Sequence, residues 1–238
     1  MLAMTVSPEL RATRSHFPDT KSASERVLDK RIQAAAPRVL QAREHVFFEG
    51  DPTDHVYQVE KGTVCLYMTL PDGRRQIIDF AHGGDLIGLG AAGEHTASAQ
   101  AITLTKLRCL PAGALHEVAR HDPQVSLQLY RALSDQLSAA RDLLLTVGRR
   151  SATERLATLL LALSRRNERM GADPTSISLP MSRADIADFL SLTIETVSRT
   201  FTKLRQSGTI DLMQSSLVLI RDRRALEQLC ADDSSAGR

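Results

Sequence analysis

An acid, a hydroxyl and a guanidinium fall on one face of the segment LSLTIETVSRTF, residues 190–201. Glu195, Ser198 and Arg199 share this face because residues three and four positions apart are neighbours on a helix. Such groups are suited to reading base edges in a DNA groove, where an arginine can donate two hydrogen bonds to guanine and a carboxylate can accept one from cytosine. The alternative is a surface ion pair between Glu195 and Arg199, which would stabilise the helix by only about 0.3–0.5 kcal/mol. In the absence of DNA, that pair would hold the arginine extended.

Two short helices must position these groups. Ser182 and Asp185 fit a capping box at the start of SRADIADFL, and Thr193 fits the N-cap of the following helix, which Gly208 ends. A turn of about three residues joins the helices, as in a helix-turn-helix. Ile194, Val197, Phe201 and Leu204 recur at helical spacing and predict a buried stripe on the second helix. The two helices are expected to share an apolar core that contains Ile186, Leu190, Val197 and Leu204.

The surroundings of this helix pair favour DNA binding. The segments TIDLM and LVLI follow it and predict a two-stranded wing. The second helix carries Arg199, Lys203 and Arg205 against Glu195, although the net charge of the whole chain is only +2. A compact helix pair also occurs as plain scaffolding, but the wing and the positive helix indicate a winged helix-turn-helix DNA-binding domain over residues 151–238.

The middle of the chain has the pattern of an antiparallel β-roll. From Val46 to about Leu110, short β-branched and aromatic runs alternate with turn signals such as Pro71-Asp72-Gly73. This pattern predicts a sensor-like β-roll domain over residues 26–122. Residues 1–25 are polar without a sustained period, and we expect them to form a flexible arm.

A long helix over residues 123–150 carries an apolar seam. The seam residues recur at alternating spacings of three and four, and they are Tyr130, Leu133, Leu137, Ala140, Leu144 and Val147. Such a seam predicts pairing with the same helix of a second copy, which would make the chain a homodimer. The alternative is that the seam packs on its own β-roll, because the run is shorter than the roughly three to four heptads of a secure coiled coil.

On these residues the chain resembles the CRP/FNR superfamily of bacterial transcription regulators. The similarity is carried by SRADIADFLSLTIETVSRTF, by EKGTVCLY and GGDLIGL in the β-roll, and by the seam helix. The run from Glu195 to Arg199 is similar to the E-x-x-S-R signature of the FNR and FixK branch, and Ser198 stands where the CRP branch has glycine. The resemblance implies an α+β fold with a cyclic-nucleotide-binding-like jelly roll. It also implies a homodimeric activator that reads a TTGAT-type palindrome and contacts RNA polymerase.

The resemblance further implies roles for individual residues. The expected base-reading residues are Ile194, which could touch a thymine methyl, and Glu195, Ser198 and Arg199. The expected contacts to DNA phosphates are Arg183, Thr193 and Thr196. Ser191 departs from the family pattern, since it stands at a turn position where relatives often have glycine. Its backbone would then adopt a conformation that is costly for a residue with a Cβ.

The Arg-Ser pair of cyclic-nucleotide-binding relatives is missing from this sequence. Cyclic-nucleotide-binding relatives hold the ribose with an acidic residue and the phosphate with an Arg-Ser pair. The matching stretch here, residues 84–101 (the cassette segment), has Asp85 at the acidic position and His95-Thr96 in place of Arg-Ser. A largely neutral imidazole is a poor substitute for a guanidinium in holding a cyclic phosphate. Without such a ligand, we expect Asp85 to be a turn residue. A regulator gated by a cyclic nucleotide remains the alternative.

Relatives that hold an iron–sulfur cluster have an N-terminal group of cysteines. The only cysteines of this chain are Cys65, Cys109 and Cys230, which are too widely spaced for such a cluster, a zinc site or a disulfide framework. We therefore expect reduced thiols and no cofactor, which is similar to the FixK subgroup.

Other classes of protein are disfavoured. No run approaches the roughly 18 apolar residues of a membrane helix, and the N-terminus lacks the apolar centre of a signal peptide, so a cytoplasmic protein is expected. An enzyme of the cupin type would need closely spaced histidines and a carboxylate. Since the histidines at positions 45, 55, 82 and 95 are scattered singly, we expect neither a catalytic nor a metal site.

Overall fold

The computed structural model describes residues 31–90, 93–149, 151–214 and 216–231. The predicted arm, residues 1–25, lies outside the described residues. Among the residues that are described, no helix is both long enough and apolar enough to cross a membrane.

The first part of the chain is the predicted β-roll. Its strands are β1 (Ala36–Leu40), β2 (His45–Phe47), β3 (His55–Lys61), β4 (Thr63–Thr69), β5 (Arg75–His82), β6 (Leu86–Ile87), β7 (Ser98–Ala101) and β8 (Thr105–Pro111). In the described part of the chain they form two four-stranded antiparallel sheets, ordered β1-β8-β3-β6 and β2-β7-β4-β5. Alternate apolar side chains of both sheets, such as Val59, Val64 and Leu107, form one buried core between them.

Two helices follow the roll, α1 (Ala112–His121) and α2 (Pro123–Arg149). The bounds of α2 agree with the predicted seam helix. Two predictions were wrong. The strands were expected to start at Val46, whereas β1 begins at Ala36, and α1 was not expected. Neither element has a strong local signal. The N-cap of α1 is Pro111, which provides no side-chain hydrogen bond, and Val39 of β1 is exposed.

The C-terminal part is a winged helix-turn-helix. Its elements are α3 (Ala152–Arg169), β9 (Ser176–Ser178), α4 (Arg183–Leu190), α5 (Ile194–Gln206), β10 (Ile210–Gln214), β11 (Leu217–Ile220) and α6 (Arg223–Ala231). The wing contains a third strand that was not predicted, because β9 pairs with β11 in a sheet ordered β10-β11-β9. The predicted α+β fold class is confirmed.

The β-roll and the helix-turn-helix of one chain pack directly on each other. Cys65, Ile77 and Phe80 of the roll belong to the same buried cluster as the core of the C-terminal part. The rings of Phe80 and Phe189 lie 5.0 Å apart between their centroids. Apolar burial of this kind favours a fixed arrangement of the two parts.

Candidate nucleic-acid interface

The start of each helix in the α4–α5 pair is fixed by a local cap. Ser182 accepts a hydrogen bond from the main-chain N–H of Asp185 (3.1 Å), and the Asp185 carboxylate accepts one from the Ser182 N–H (2.9 Å). The Thr193 hydroxyl accepts from the N–H of Thr196 at 3.2 Å. These are the caps that the sequence predicts, and each satisfies N–H groups that have no partner inside the helix.

The predicted shared core of the pair is confirmed. Ile186, Leu190, Val197 and Leu204 are all buried, together with Phe201. Ile194 was also placed in this stripe, and that prediction was wrong: its side chain is 49% exposed. The reason is its position, since Ile194 is the first residue of α5 and lies beyond the end of the shared core.

The turn between the helices has a left-handed residue. Ser191 has φ 53° and ψ 51°, the region that favours glycine. The main-chain carbonyls of Leu190 and Ser191 accept hydrogen bonds from the Arg155 guanidinium of α3, at 2.8 and 3.2 Å. Ser191 therefore adopts the backbone conformation that the sequence led us to expect. Arg155 of α3 stabilises this turn through its two hydrogen bonds.

The outer face of α5 presents the four predicted base-reading residues to solvent. Ile194, Glu195, Ser198 and Arg199 are all exposed. The pKa of Glu195 is lowered, mainly because its own main-chain N–H and the Thr193 hydroxyl donate to the carboxylate, with a smaller effect of Arg199. Glu195 is thus ready to accept a hydrogen bond as a carboxylate.

The predicted ion pair between Glu195 and Arg199 does not form. Arg199 instead donates from Nε to the main-chain carbonyl of Glu195, at 3.4 Å. This contact uses only one of the five N–H donors of the guanidinium, so most of its donors remain available. The explanation of this face as a helix-stabilising ion pair loses its support.

The three residues predicted to contact phosphates have more contacts within the chain than the base-reading residues have. The guanidinium carbon of Arg183 lies 3.5 Å from the centroid of the Phe201 ring, and partial burial lowers the Arg183 pKa. The hydroxyls of Thr193 and Thr196 hydrogen-bond to each other at 3.0 Å. Stacking on Phe201 fixes the plane of the guanidinium at the first residue of α4. Arg183, Thr193 and Thr196 as phosphate contacts remain predictions.

Comparison with known proteins adds to this geometry. Residues 37–122 match the family described as cyclic nucleotide-binding domain, and residues 154–229 match the Crp-like helix-turn-helix domain. The chain is 42% identical over 191 residues to the nitrogen fixation regulation protein FixK of Bradyrhizobium diazoefficiens, over 79% of each chain. It is 39% identical over 182 residues to the transcriptional activatory protein AadR of Rhodopseudomonas palustris, over 76% of each.

A solved structure gives the same assignment. FixK2 from Bradyrhizobium japonicum has a TM-score of 0.77 and 37% sequence identity, with 82% of this chain and 96% of that chain covered. The chain belongs to the CRP/FNR family of transcription regulators. Within this family it is FixK-like, and its helix-turn-helix is a DNA-binding domain.

In this CRP/FNR regulator the cassette segment is packed internally at His95. The His95 imidazole is only 7% exposed and stacks on Phe47, with ring centroids 3.6 Å apart. Burial lowers the pKa of His95, which favours the neutral ring. Thr96 is exposed.

Asp85 has a larger role than the turn residue that was predicted. Its carboxylate does accept a hydrogen bond from the main-chain N–H of His82, at 2.8 Å. It also forms an ion pair with Arg166 of α3, at 3.1 Å. A cassette residue therefore binds the DNA-binding part of the same chain, a contact that the sequence did not reveal.

The seam of α2 lies on the surface of the single chain. Tyr130, Leu133, Leu137 and Ala140 are exposed, and Leu144 reaches 69% exposure. Val147 is partly buried. The alternative in which the whole seam packs on its own β-roll is contradicted, because an apolar side chain packed on the roll would be buried.

In the described part of the chain, the cysteines and histidines form no common cluster. Cys65 is buried, which raises its pKa to about 11, and burial also raises the pKa of Cys109. Cys230 lies 3.4 Å from the Thr158 hydroxyl. Across the described ranges, no three His, Cys, Asp or Glu side chains are grouped so that they could hold a metal ion.

Proposed function

We propose that the protein is a homodimeric, FixK-type transcription activator that reads a TTGAT-type palindrome and needs neither a cyclic nucleotide nor an iron–sulfur cluster. The observation that carries the proposal is the outer face of α5, where Glu195, Ser198 and Arg199 are exposed on a helix whose opposite side is buried. The protein would act in the bacterial cytoplasm, where its DNA is.

Base reading is assigned to the first turns of α5. Arg199 has the donors for a two-pronged contact to guanine O6 and N7, and the ionised Glu195 can accept from cytosine N4. Ile194 is exposed at the N-terminal end of the helix, where it can meet a thymine methyl. Arg183, Thr193 and Thr196 would contact phosphates and fix the register of the helix in the groove.

Dimerisation is assigned to the seam of α2. Leucine and tyrosine side chains exposed along one helix are unfavourable in water and mark a surface for association. Their spacing matches a parallel helix pair with Ala140 at a position of close approach. Two recognition helices related by a two-fold axis would then read two half-sites of a palindrome.

Independence from a cyclic nucleotide is supported by the cassette segment. The imidazole of His95 is packed on Phe47, and the Asp85 carboxylate is paired with Arg166. Neither group is available for a ribose or a cyclic phosphate unless these contacts break, and a neutral imidazole lacks the charge that would compensate.

An activating role is supported by the relatives. AadR is named a transcriptional activatory protein, and it shares 39% identity with this chain. Activation would require contact with RNA polymerase, so we include the polymerase as a partner.

Selection of bound sites from random DNA tests the proposed function. The full chain, purified without added nucleotide, should recover a two-fold symmetric site with TTGAT-type half-sites at one spacing. A requirement for cyclic AMP or cyclic GMP in the selection would favour the cyclic-nucleotide-gated alternative. Recovery of a single asymmetric half-site would contradict the dimer.

A further inference from the structure

Strand β5 of the β-roll binds the first helix of the helix-turn-helix and the turn after it. The contacts of Arg75 and Gln76 with this helix and turn are called the grip. The Arg75 guanidinium lies 2.6 Å from an Asp185 carboxylate oxygen and 3.2 Å from one of Asp188. All three side chains are partly buried, so the charges attract each other more strongly than a pair in bulk water would. More than a hundred residues separate the partners along the chain, so this contact joins two parts of the molecule that are distant in sequence.

The neighbouring residue extends the grip to the turn. The Gln76 side chain donates from Nε2 to the main-chain carbonyl of Asp188, at 2.6 Å. It accepts from the Ser191 hydroxyl at 3.2 Å. A glycine at position 191 would adopt the left-handed conformation without strain, but it could not make this hydrogen bond. The serine therefore connects the left-handed turn to the β-roll.

Holding α4 and the turn also orients α5. The two helices share a buried core that includes Ile186, Leu190 and Val197, so they move as one unit. The base-reading face of α5 stays exposed while α4 is held. The grip is therefore compatible with entry of α5 into a groove, and it restricts the direction in which α5 points.

We propose that Arg75 and Gln76 are positioning residues for DNA recognition, which set the orientation of the recognition helix relative to the β-roll. This role rests on the proposed function. In a dimer, the two recognition helices must be presented roughly one turn of DNA apart. A helix-turn-helix that swings freely on its linker would bind the correct spacing less tightly, because its orientation would have to be fixed on binding. In a regulator without a small ligand, the grip supplies this order within the chain.

The test compares binding to the selected palindrome with binding to versions whose spacer is longer or shorter by about one base pair. Arg75→Ala and Gln76→Ala should each weaken binding at the native spacing by roughly tenfold. They should also reduce the preference for native spacing, while discrimination between bases within a half-site stays as in the wild type. Arg74→Ala is the matched control, since Arg74 is next in the same hairpin but pairs with Asp72 instead of α4.

A second variant distinguishes loss of the grip from loss of stability of the β-roll. Arg75 also contacts Gln100 (3.3 Å) and lies over the Tyr67 ring, so its removal can loosen the β-roll. Asp188→Ala removes one of the two carboxylates that pair with Arg75, while the Arg75–Asp185 pair and the contacts of Arg75 within the roll stay intact. Asp185 is unsuitable because it also forms the capping box of α4. If the grip acts as proposed, Asp188→Ala should have a smaller effect than Arg75→Ala, and combining the two should change the spacing preference little more than Arg75→Ala alone.

Hydrogen–deuterium exchange adds a readout without DNA. Main-chain amides of residues 183–192 should exchange faster in Arg75→Ala and Asp188→Ala than in the wild type and in Arg74→Ala. Unchanged exchange, unchanged spacing preference or tighter DNA binding in both variants would overturn the positioning role. A wild-type protein that selects no palindrome would overturn the proposed function, and the positioning role with it, before any variant is compared.

Discussion

The outer face of α5 and the cassette segment of the β-roll differ in whether their polar groups already have partners within the chain. On α5, Glu195 and Arg199 are exposed: the Glu195 carboxylate accepts only from its own main-chain N–H and the nearby Thr193 hydroxyl, and Arg199 makes one long contact to a main-chain carbonyl. In the cassette segment, Asp85 is paired with Arg166 and His95 is stacked on Phe47. Because a partner must replace whatever contacts a group already has, the first region is open to a macromolecule and the second is closed to a small anion.

The seam of α2 belongs with the open regions, and its disruption should have the largest effect. Leu137→Asp combined with Leu144→Asp would place charges in the helix pair and should yield monomers. Loss of the second half-site should then weaken binding to the palindrome by roughly 100- to 10,000-fold. Analytical ultracentrifugation and binding titrations measure the two effects.

The control for the seam uses the same helix and the same new charge. Ser138→Asp combined with Ala139→Asp places two exposed carboxylates away from the seam positions. This variant should remain dimeric and keep its affinity. A dimeric Leu137/Leu144 variant would show that the copies associate through another surface.

His82, which lies next to the cassette segment, should make the free energy of unfolding depend on pH. Burial and the nearby Arg166 lower the pKa of His82 to about 4 from 6.5. Between these pH values the unfolded chain binds a proton on His82 and the folded chain does not, so stability rises with pH across the window. His82 should make the free energy of unfolding about 2 kcal/mol lower at pH 5 than at pH 7.

Urea unfolding at both pH values measures this contribution. His82→Gln should remove about 2 kcal/mol of the difference, whereas His116→Gln, a change of an exposed histidine on α1, should leave it unchanged. An equal pH dependence in wild type and His82→Gln would mean that His82 is open to water in the folded chain.

Arg183 tests whether α4 contributes affinity without sequence discrimination. Arg183→Ala should weaken binding to all sequences about equally and reduce the slope of log affinity against log salt by about one per subunit. Titrations at several salt concentrations on matched and mismatched sites measure both. If the loss were confined to one base pair, Arg183 would be reading bases instead.

The smallest expected effect is that of cyclic nucleotides. Since the cassette segment is closed at Asp85 and His95, adding cyclic AMP or cyclic GMP should leave the affinity for DNA unchanged and should release no heat in calorimetry. Saturable binding of either nucleotide, with tighter DNA binding, would show that the cassette opens.

The features that could be predicted from the sequence are those with local causes. The capping box at Ser182, the N-cap at Thr193 and the apolar periods of α2 and α5 all act within a few residues, and each was found where it was expected. Ile194 follows the period of α5 but lies exposed, because the period does not show where the shared core ends.

The features that were missed depend on contacts between distant residues. Strand β1 is defined by its pairing with β8, about seventy residues later. The contacts of Arg75 and Gln76 with α4, and of Arg166 with Asp85, join residues of two different domains. Side chains of these types are common on surfaces, so only the packing of the roll on the helix-turn-helix identifies them as contacts. Ser191 led us to expect a left-handed turn, but it gave no indication of the contact with Gln76.

The claim that the open face of α5 reads bases can be tested most directly by pairing Arg199→Ala with replacement of the half-site guanine. Wild type and variant, without any nucleotide, would be titrated against the TTGAT-type palindrome and against the palindrome with that guanine replaced. Replacing the guanine should cost the wild type roughly 1–3 kcal/mol per half-site and should cost Arg199→Ala almost nothing. Full discrimination at that guanine by Arg199→Ala would contradict the assignment of base reading to Arg199.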